Sequence, residues 1–172
     1  MLTKNINFNN FSFRYSNKKI LNSLKKLLKE ENEIIKSLKN TYKDSYSKKT
    51  LVKLKKYTQV ILIGMGGSVL GSRSIYSFLK SKIKKKFIFK DNFEFFKLDL
   101  KNKKDRMILV ISKSGNTLET ISNSNVLINK SGKNVFVTEN KKSYLSDLAK
   151  KLKFEVIHHN NFIGGRYSVL SE

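Results

Sequence analysis

The stretch VILIGMGGS, residues 60–68, decides how this sequence is expected to fold. Four consecutive apolar residues are typical of a strand buried on both faces, as strands of parallel sheets are. The glycines that follow end the strand, and Ser68 stands at or near the expected N-cap of a helix. A strand that enters a helix through glycines is one β-α unit, so the stretch predicts an α/β fold.

Outward from this stretch, the same alternation of strand and helix continues along the chain. Further strands are predicted at 93–98, 107–111, 135–137 and 154–157. Helices are predicted at 69–79, 117–129 and 144–152. Repeated β-α units require a parallel sheet covered by helices on both faces, so we expect a three-layer α/β/α architecture.

The residues before the sheet carry a helical pattern. Apolar residues at a helical period predict one amphipathic helix over 18–39 and a shorter helical piece over 51–57. We therefore expect a helical lead-in over 1–57 and an α/β domain over 58–172. The lysine run at 84–86 is predicted to be a solvated loop.

The composition limits the possible classes of protein. A chain of 172 residues with 39% hydrophobic residues suits one globular domain. The absence of cysteine excludes disulfides and thiolate metal sites, and the two histidines are adjacent in sequence, so no metal or cofactor is expected. No apolar run approaches the roughly 18 residues that span a bilayer. The sequence therefore predicts a cytoplasmic protein without a membrane partner.

The net charge of +23 by itself suggests a polyanion such as nucleic acid as the partner. The cations are nearly all scattered lysines, however, and arginine, the better reader of phosphate and base edges, occurs at four positions. We therefore expect a solvated lysine surface and no nucleic-acid partner, with general polyanion binding as a minor alternative. A positive field would still attract a small anionic substrate.

Ligands of open parallel sheets bind beyond the carboxyl ends of the strands, so residues that directly follow a predicted strand are candidate site residues. The first such segment, residues 64–68, offers Gly67 and Ser68 at a helix start, where exposed N–H groups attract anions. A dinucleotide fingerprint would need glycine at position 69 and a Walker loop would need Gly-Lys, and neither is present. A tight turn without a ligand stays open as the alternative.

The second segment is SKSGNTLET, residues 112–120. Its hydroxyl, ammonium, amide and glycine groups meet at a helix start and can hold a phosphate by charge-assisted hydrogen bonds. The candidates are Ser112, Lys113, Ser114, Gly115, Asn116 and Thr117. Helix capping by Asn116, with Glu119 completing a capping-box-like pair, explains the same residues, and both interpretations can hold.

The third segment is FIGGRYSVLS, residues 162–171, which follows the last predicted strand. Paired glycines ahead of Arg166 indicate a backbone bend that brings one guanidinium to a fixed place. In isolation this signal is weak, because Gly-Gly-Arg turns occur in many surface loops.

Taken together and in this order, the three segments resemble the phosphoglucose isomerase family. The resemblance covers the chain from residue 60 onward and implies a sugar-isomerase (SIS), flavodoxin-like fold. It also implies interconversion of glucose 6-phosphate and fructose 6-phosphate, with a hexose 6-phosphate as the ligand. Other SIS proteins generally lack the third segment, and a non-catalytic sugar-phosphate sensor of that fold is the alternative function.

The resemblance also implies roles for individual residues. Gly67 and Ser68 would contact the substrate, Ser112, Ser114 and Thr117 would hold the phosphate with the backbone of 113–116, and Arg166 would stabilise the enediol-like intermediate. The family's catalytic glutamate, histidine and lysine have no counterpart in this sequence. We therefore expect a truncated or partial chain that is inactive alone. The full-length family is homodimeric, and the oligomeric state of this chain stays open.

Overall fold

The computed structural model describes residues 18–93 and 105–170. Its helices are α1 Lys18–Lys29, α2 Glu33–Ser37, α3 Lys48–Lys55, α4 Gly67–Leu79, α5 Leu118–Leu127 and α6 Tyr144–Lys151. Its strands are β1 Gln59–Ile63, β2 Lys86–Lys90, β3 Arg106–Ile111, β4 Lys133–Glu139 and β5 Glu155–His159. A 3-10 helix, Gly165–Leu170, follows β5.

The five strands form one parallel sheet in the order β2-β1-β3-β4-β5. This is the strand order of flavodoxin-like folds, in which the chain passes from β1 to β2 on one side and then crosses back to β3 on the other side of β1. The predicted α/β fold with a parallel sheet is confirmed.

Alternate residues of each strand point to opposite faces of the sheet, and helices cover both faces. On one face, Ile61, Val110 and Phe136 pack with Leu127 of α5 and Leu145 of α6. On the other face, Val60, Met107 and Val135 are buried, Leu54 of α3 packs against them, and the ring of Tyr76 in α4 contacts that of Phe87. The apolar runs thus became central strands because both of their faces are buried.

The predicted single helix over 18–39 is wrong, because the structure divides it into α1 and α2. Residues 30–32 interrupt the helix, and Asn32 caps the second piece by accepting a hydrogen bond from the N–H of Ile35 at 2.9 Å. An asparagine that bonds the backbone in this way favours a helix start over a helix interior.

The region around β2 also differs from the prediction. Lys86 begins β2 instead of extending a loop, and the Lys85 ammonium donates to the carbonyl groups of Lys55, at 2.7 Å, and Tyr57. Burial there lowers the pKa of Lys85. The strand predicted at 93–98 is not found at Phe93, and residues 94–98 lie outside the described residues.

Two searches of the described ranges, 18–93 and 105–170, bear on the other classes of protein. No helix in these ranges is long and apolar enough to cross a membrane. The same ranges contain no group of three or more His, Cys, Asp or Glu residues placed to hold a metal ion.

Candidate functional site

The sheet brings the first two candidate loops to the same edge. β1 and β3 are parallel neighbours with Ile63 opposite Val110, so residues 64–66 and 112–117 leave the sheet side by side. A Cβ atom at Gly64 would lie 2.8 Å from the carbonyl oxygen of Ile111, which shows how closely the two strand ends approach. The sequence-predicted phosphate segments are therefore neighbours.

The first loop leads into α4 without a capping side chain. Gly66 is the N-cap, with φ of 55°, and it makes no side-chain capping bond. Ser68 was predicted at or near the cap, and the structure places it near the cap as the second residue of the helix. The N–H of Ser68 donates to the carbonyl of Met65 at 3.2 Å. This tight turn leaves Met65 and Gly66 exposed at the edge.

The second loop is folded around a buried hydroxyl. Ser112 Oγ accepts from the N–H of Gly115 at 3.2 Å and donates to Thr117 Oγ1 at 3.3 Å. Ser114 Oγ accepts from the N–H of Asn116 at 3.3 Å, and both of these residues are exposed. The loop thus carries one buried and one exposed serine hydroxyl within three residues.

The predicted capping of the next helix by Asn116 and Glu119 is wrong. Thr117 is the N-cap of α5 and makes no side-chain capping bond. The side chain of Asn116 instead accepts from the N–H of Tyr144 at 2.9 Å, and so it ties the loop to the start of α6. The first N–H groups of a helix lack partners within it, which makes the start of α6 a strong competitor for this acceptor.

The helix starts at this edge fall into two groups. α6 is capped in the ordinary way, because Ser143 Oγ accepts from the N–H of Ser146. Within the described residues, α4 and α5 have no such cap. Uncapped N–H groups and the positive end of the helix dipole together favour an anion at these two helix starts.

The second loop is also fixed to β4. The N–H of Ser112 donates to the carbonyl of Val137 at 3.0 Å, and the carbonyl of Lys113 accepts from the N–H of Glu139 at 3.0 Å. The hydroxyl of Thr138 donates to the same Lys113 carbonyl at 3.2 Å. The backbone of the loop is therefore held in place without any ligand.

An ion-pair cluster surrounds the one cation of this loop. The carboxylate of Glu139 lies 3.1 Å from the ammonium of Lys113 and 3.0 Å from that of Lys141. Burial raises the pKa of Glu139, but the hydrogen bonds from Lys141 and Lys113 outweigh it and hold the pKa below its ordinary value. Glu139 is thus a carboxylate at neutral pH, and it forms an ion pair with the Lys113 ammonium.

A cavity of about 340 Å³ opens beside the two loops. Gly67, Ser68, Lys113, His159 and Ser168 line it at the carboxyl edge of the sheet, and apolar side chains of α3 and β3 line its deeper part. A second cavity of about 440 Å³ lies at the opposite edge, between Arg106 and Asn134, and no predicted site residue lines it. The first cavity is the one that adjoins both candidate loops.

Comparison with known proteins identifies the family. A model of the family described as phosphoglucose isomerase matches residues 12–172. The chain belongs to the phosphoglucose isomerase family. A glucose-6-phosphate isomerase of Borreliella afzelii is 34% identical over 134 residues, and one of Methanocaldococcus jannaschii is 36% identical over 126 residues. These matches cover 68% and 67% of this chain but 25% and 31% of the relatives, so the chain spans roughly a quarter to a third of their length.

A solved structure supports the same assignment of the fold. The hypothetical protein TT0462 of Thermus thermophilus superposes with a TM-score of 0.58 at 25% identity. The match covers 71% of this chain and 34% of that protein. The phosphoglucose isomerase family and the parallel-sheet fold were thus both predicted from the three sequence segments, and both are confirmed.

For a phosphoglucose isomerase family member, the structure brings most of the predicted residues together. The two loops adjoin, and Gly67, Ser68 and Lys113 line one cavity. The side chain of Arg166 lies outside the described residues, so its role stays a prediction. Gly164 does reach the second loop, because a Cβ atom there would lie 2.9 Å from Lys113 Nζ.

Sequence reasoning missed Glu139 and His159. Both end a strand at the carboxyl edge, and the rule that selected the three segments applies to them as well. His159 Nε2 donates to the carbonyl of Ile163 at 2.8 Å and so fixes the chain just before Gly164. Glu139 was missed because a lone carboxylate at the end of a strand gives no motif signal.

Proposed function

We propose that this chain supplies the sugar-phosphate-binding part of a glucose-6-phosphate isomerase, the enzyme that interconverts glucose 6-phosphate and fructose 6-phosphate. The observation that carries the proposal is the pair of adjacent helix starts, α4 and α5, that lack capping side chains beside a loop of hydroxyl groups. Membership of the family supports the isomerase over a sugar-phosphate sensor of the same fold.

In this proposal the phosphate is bound chiefly by neutral groups. The hydroxyls of Ser114 and Thr117 and the N–H groups at the start of α5 donate to its oxygens. The Ser112 hydroxyl joins them when a phosphate oxygen replaces Thr117 Oγ1 as the acceptor of its single proton. The Lys113 ammonium is engaged by Glu139, so Lys113 contributes its backbone and a screened positive charge. Gly67 and Ser68 contact the sugar from the neighbouring helix start.

The isomerisation itself requires further groups. Arg166 is proposed to stabilise the negative charge that develops as the enediol-like intermediate forms. Proton transfer between C1 and C2 needs a free carboxylate within about 2.6 to 3.2 Å of the proton. The Glu139 carboxylate is unsuited to this step because two lysines hold it. We infer that this chain binds hexose phosphate without turnover, and that other residues of a full-length enzyme supply the proton-transfer groups.

The wider biological setting follows from the same proposal. We place the reaction in cytoplasmic glycolysis and gluconeogenesis, without a cofactor, membrane or nucleic-acid partner. The full-length enzyme is proposed to be a homodimer.

A calorimetric titration of the chain with fructose 6-phosphate tests the proposal. Replacing both Ser112 and Thr117 with Ala should weaken binding about tenfold or more, because two charge-assisted hydrogen bonds are lost. Ser131→Ala is the matched control, since its hydroxyl bonds Asn129 in the loop before β4 at the other edge of the sheet. Undetectable binding at millimolar ligand, or equal binding by the double variant, would contradict the proposal.

A further inference from the structure

Glu139 is held against Lys113 by two separate contacts. Its carboxylate side chain, 10% exposed, lies 3.1 Å from the Lys113 ammonium, and its backbone N–H donates to the Lys113 carbonyl at 3.0 Å. The end of β4 therefore grips both the backbone and the side chain of the phosphate loop. The second lysine of the cluster, Lys141, is 63% exposed and belongs to the loop that follows β4.

The Lys113 side chain in turn contacts the segment after β5. A Cβ atom at Gly164 would lie 2.9 Å from Lys113 Nζ and 3.4 Å from its Cδ. The lysine side chain therefore lies along the surface of Gly164, between that glycine and the Glu139 carboxylate. Gly164 directly precedes the 3-10 helix Gly165–Leu170, whose Val169 packs against Gly71 of α4.

The charge arrangement is unfavourable for phosphate binding alone. A carboxylate near a phosphate repels it, and an ammonium that is free to move would add attraction. The Glu139 carboxylate supplies this repulsion, and its ion pair keeps the Lys113 ammonium from moving toward the phosphate. A carboxylate at this place therefore does not serve to bind the phosphate. The group that it fixes in space is the Lys113 side chain, which lies against Gly164.

We propose that Glu139 is a positioning residue that acts through Lys113 to hold the turn at residues 164–166 against the phosphate loop. The inference rests on the proposed function in one respect, since the turn matters for the reaction because it includes Arg166. The backbone of this turn stays at a fixed distance from the phosphate loop only while the Lys113 contact persists. His159, through Ile163, provides the other anchor of the same segment.

Hydrogen exchange of the ligand-free chain tests the positioning role directly. Glu139→Gln should speed amide exchange at 164–167 about fivefold, the size expected for the loss of one partly solvent-screened ion pair. Lys113→Met should reproduce this effect, since it removes the same link. The matched control is Glu155→Gln, which breaks the Lys133 and Thr50 contacts at the amino end of β4 and β5. Exchange at 164–167 that is unchanged in either loop variant, or equally fast in the control, would overturn the proposal.

A double-variant comparison separates positioning from general loosening. Gly164→Ala forces the Lys113 ammonium away while Glu139 holds it, but after Glu139→Gln the same ammonium is free to move. The combined variant should therefore exchange more slowly than the product of the two single effects. Single effects that simply multiply would show that Glu139 and Gly164 do not act through Lys113.

Ligand titrations connect the positioning role to the reaction. Glu139→Gln should weaken fructose 6-phosphate binding about fivefold, while inorganic phosphate, which needs only the loop, should bind within about twofold of the wild type or more tightly. Equal weakening of both ligands would overturn the proposal, because it would place the effect in the phosphate loop. If the wild type bound neither ligand, the proposed function would fail, and the exchange experiment would still decide the positioning role.

Discussion

The two glycine loops at the carboxyl edge both lead from a strand into a helix, but their surroundings differ. In the first loop, Gly66 is exposed, and a Cβ atom there would meet nothing within 4 Å. In the second, Gly115 is buried, and a Cβ atom would lie 2.2 Å from Ser143 Oγ. Both glycines have positive φ, 55° and 67°, which favours glycine at each position, and their neighbours differ.

The difference separates two tasks at one site. The second loop is bonded to β4 and α6 through Ser112, Lys113 and Asn116, so its donors are fixed before any ligand arrives. Preorganised donors bind an anion without a cost of reordering. The first loop is open on its outer side and leaves space beside the cavity. On the proposed function, the second loop holds the phosphate and the first makes room for the sugar.

The largest expected effect comes from replacing the glycines of the two loops with alanine. Gly115→Ala combines the strain of positive φ with a clash against Ser143, and we expect it to lower the free energy of unfolding by about 3 kcal/mol. Gly66→Ala carries only the backbone strain of φ 55° and ψ −123° and should cost about 2 kcal/mol. Urea unfolding of both variants measures the difference. Equal losses would mean that the two loops are equally confined.

A smaller effect is expected from the difference between the capped start of α6 and the uncapped start of α5. Ser143→Ala removes the side-chain cap of α6 and should destabilise the chain by about 1 kcal/mol. Thr117→Ala sits at the cap position of α5 but removes no capping bond, so its cost should be limited to the lost hydrogen bond from Ser112, about 0.5 kcal/mol. Thermal unfolding checks both values. A Thr117 variant as unstable as the Ser143 variant would show that α5 depends on that hydroxyl for its fold.

The smallest expected effect concerns the charge that fixes the second loop. Because the folded-state pKa of Glu139 lies below the ordinary value of 4.5, its ion pairs stabilise the fold above about pH 4.5 and are lost as the pH falls through the lower folded-state pKa. Lys141 and part of Lys113 are solvent-screened, so this contribution should be under about 1 kcal/mol.

The wild type and Glu139→Gln, unfolded in urea at pH 7 and again at pH 3, provide the measurement. Their difference in unfolding free energy should shrink at the acidic pH, because protonation of the wild-type carboxyl removes its ion pairs. A difference that stayed constant or grew on acidification would contradict the ion-pair assignment.

Much of the fold could be predicted because its decisive signals are local. The apolar runs of β1 and β3 need burial on both faces, and this need alone specifies central parallel strands. β2 was missed because its sequence KFIFK has only three apolar residues between two lysines and lies at an edge, where pairing with β1 decides its state. The break between α1 and α2 was missed because Asn32 was not recognised as a cap.

The candidate site was predictable in its residues but not in its bonding. Local pattern assigned Asn116 to the cap of α5, whereas its side chain binds Tyr144, 28 positions further on. Pattern also placed the Lys113 ammonium among the phosphate donors, whereas it pairs with Glu139. In each case a residue distant in sequence took the place of the expected partner, because the sheet register had already brought that residue within reach.

Local residue patterns were enough to specify the order of β-α units, the loops that carry hydroxyl and amide donors, and the family to which the chain belongs. Which helix starts lack a capping side chain depends on the folded structure. α4 and α5 have none, while Ser143 and Asn116 accept hydrogen bonds from the start of α6. The physical reason is that periodicity and chain direction are properties of neighbouring residues. A hydrogen bond or an ion pair depends on which strand ends the folded sheet places side by side.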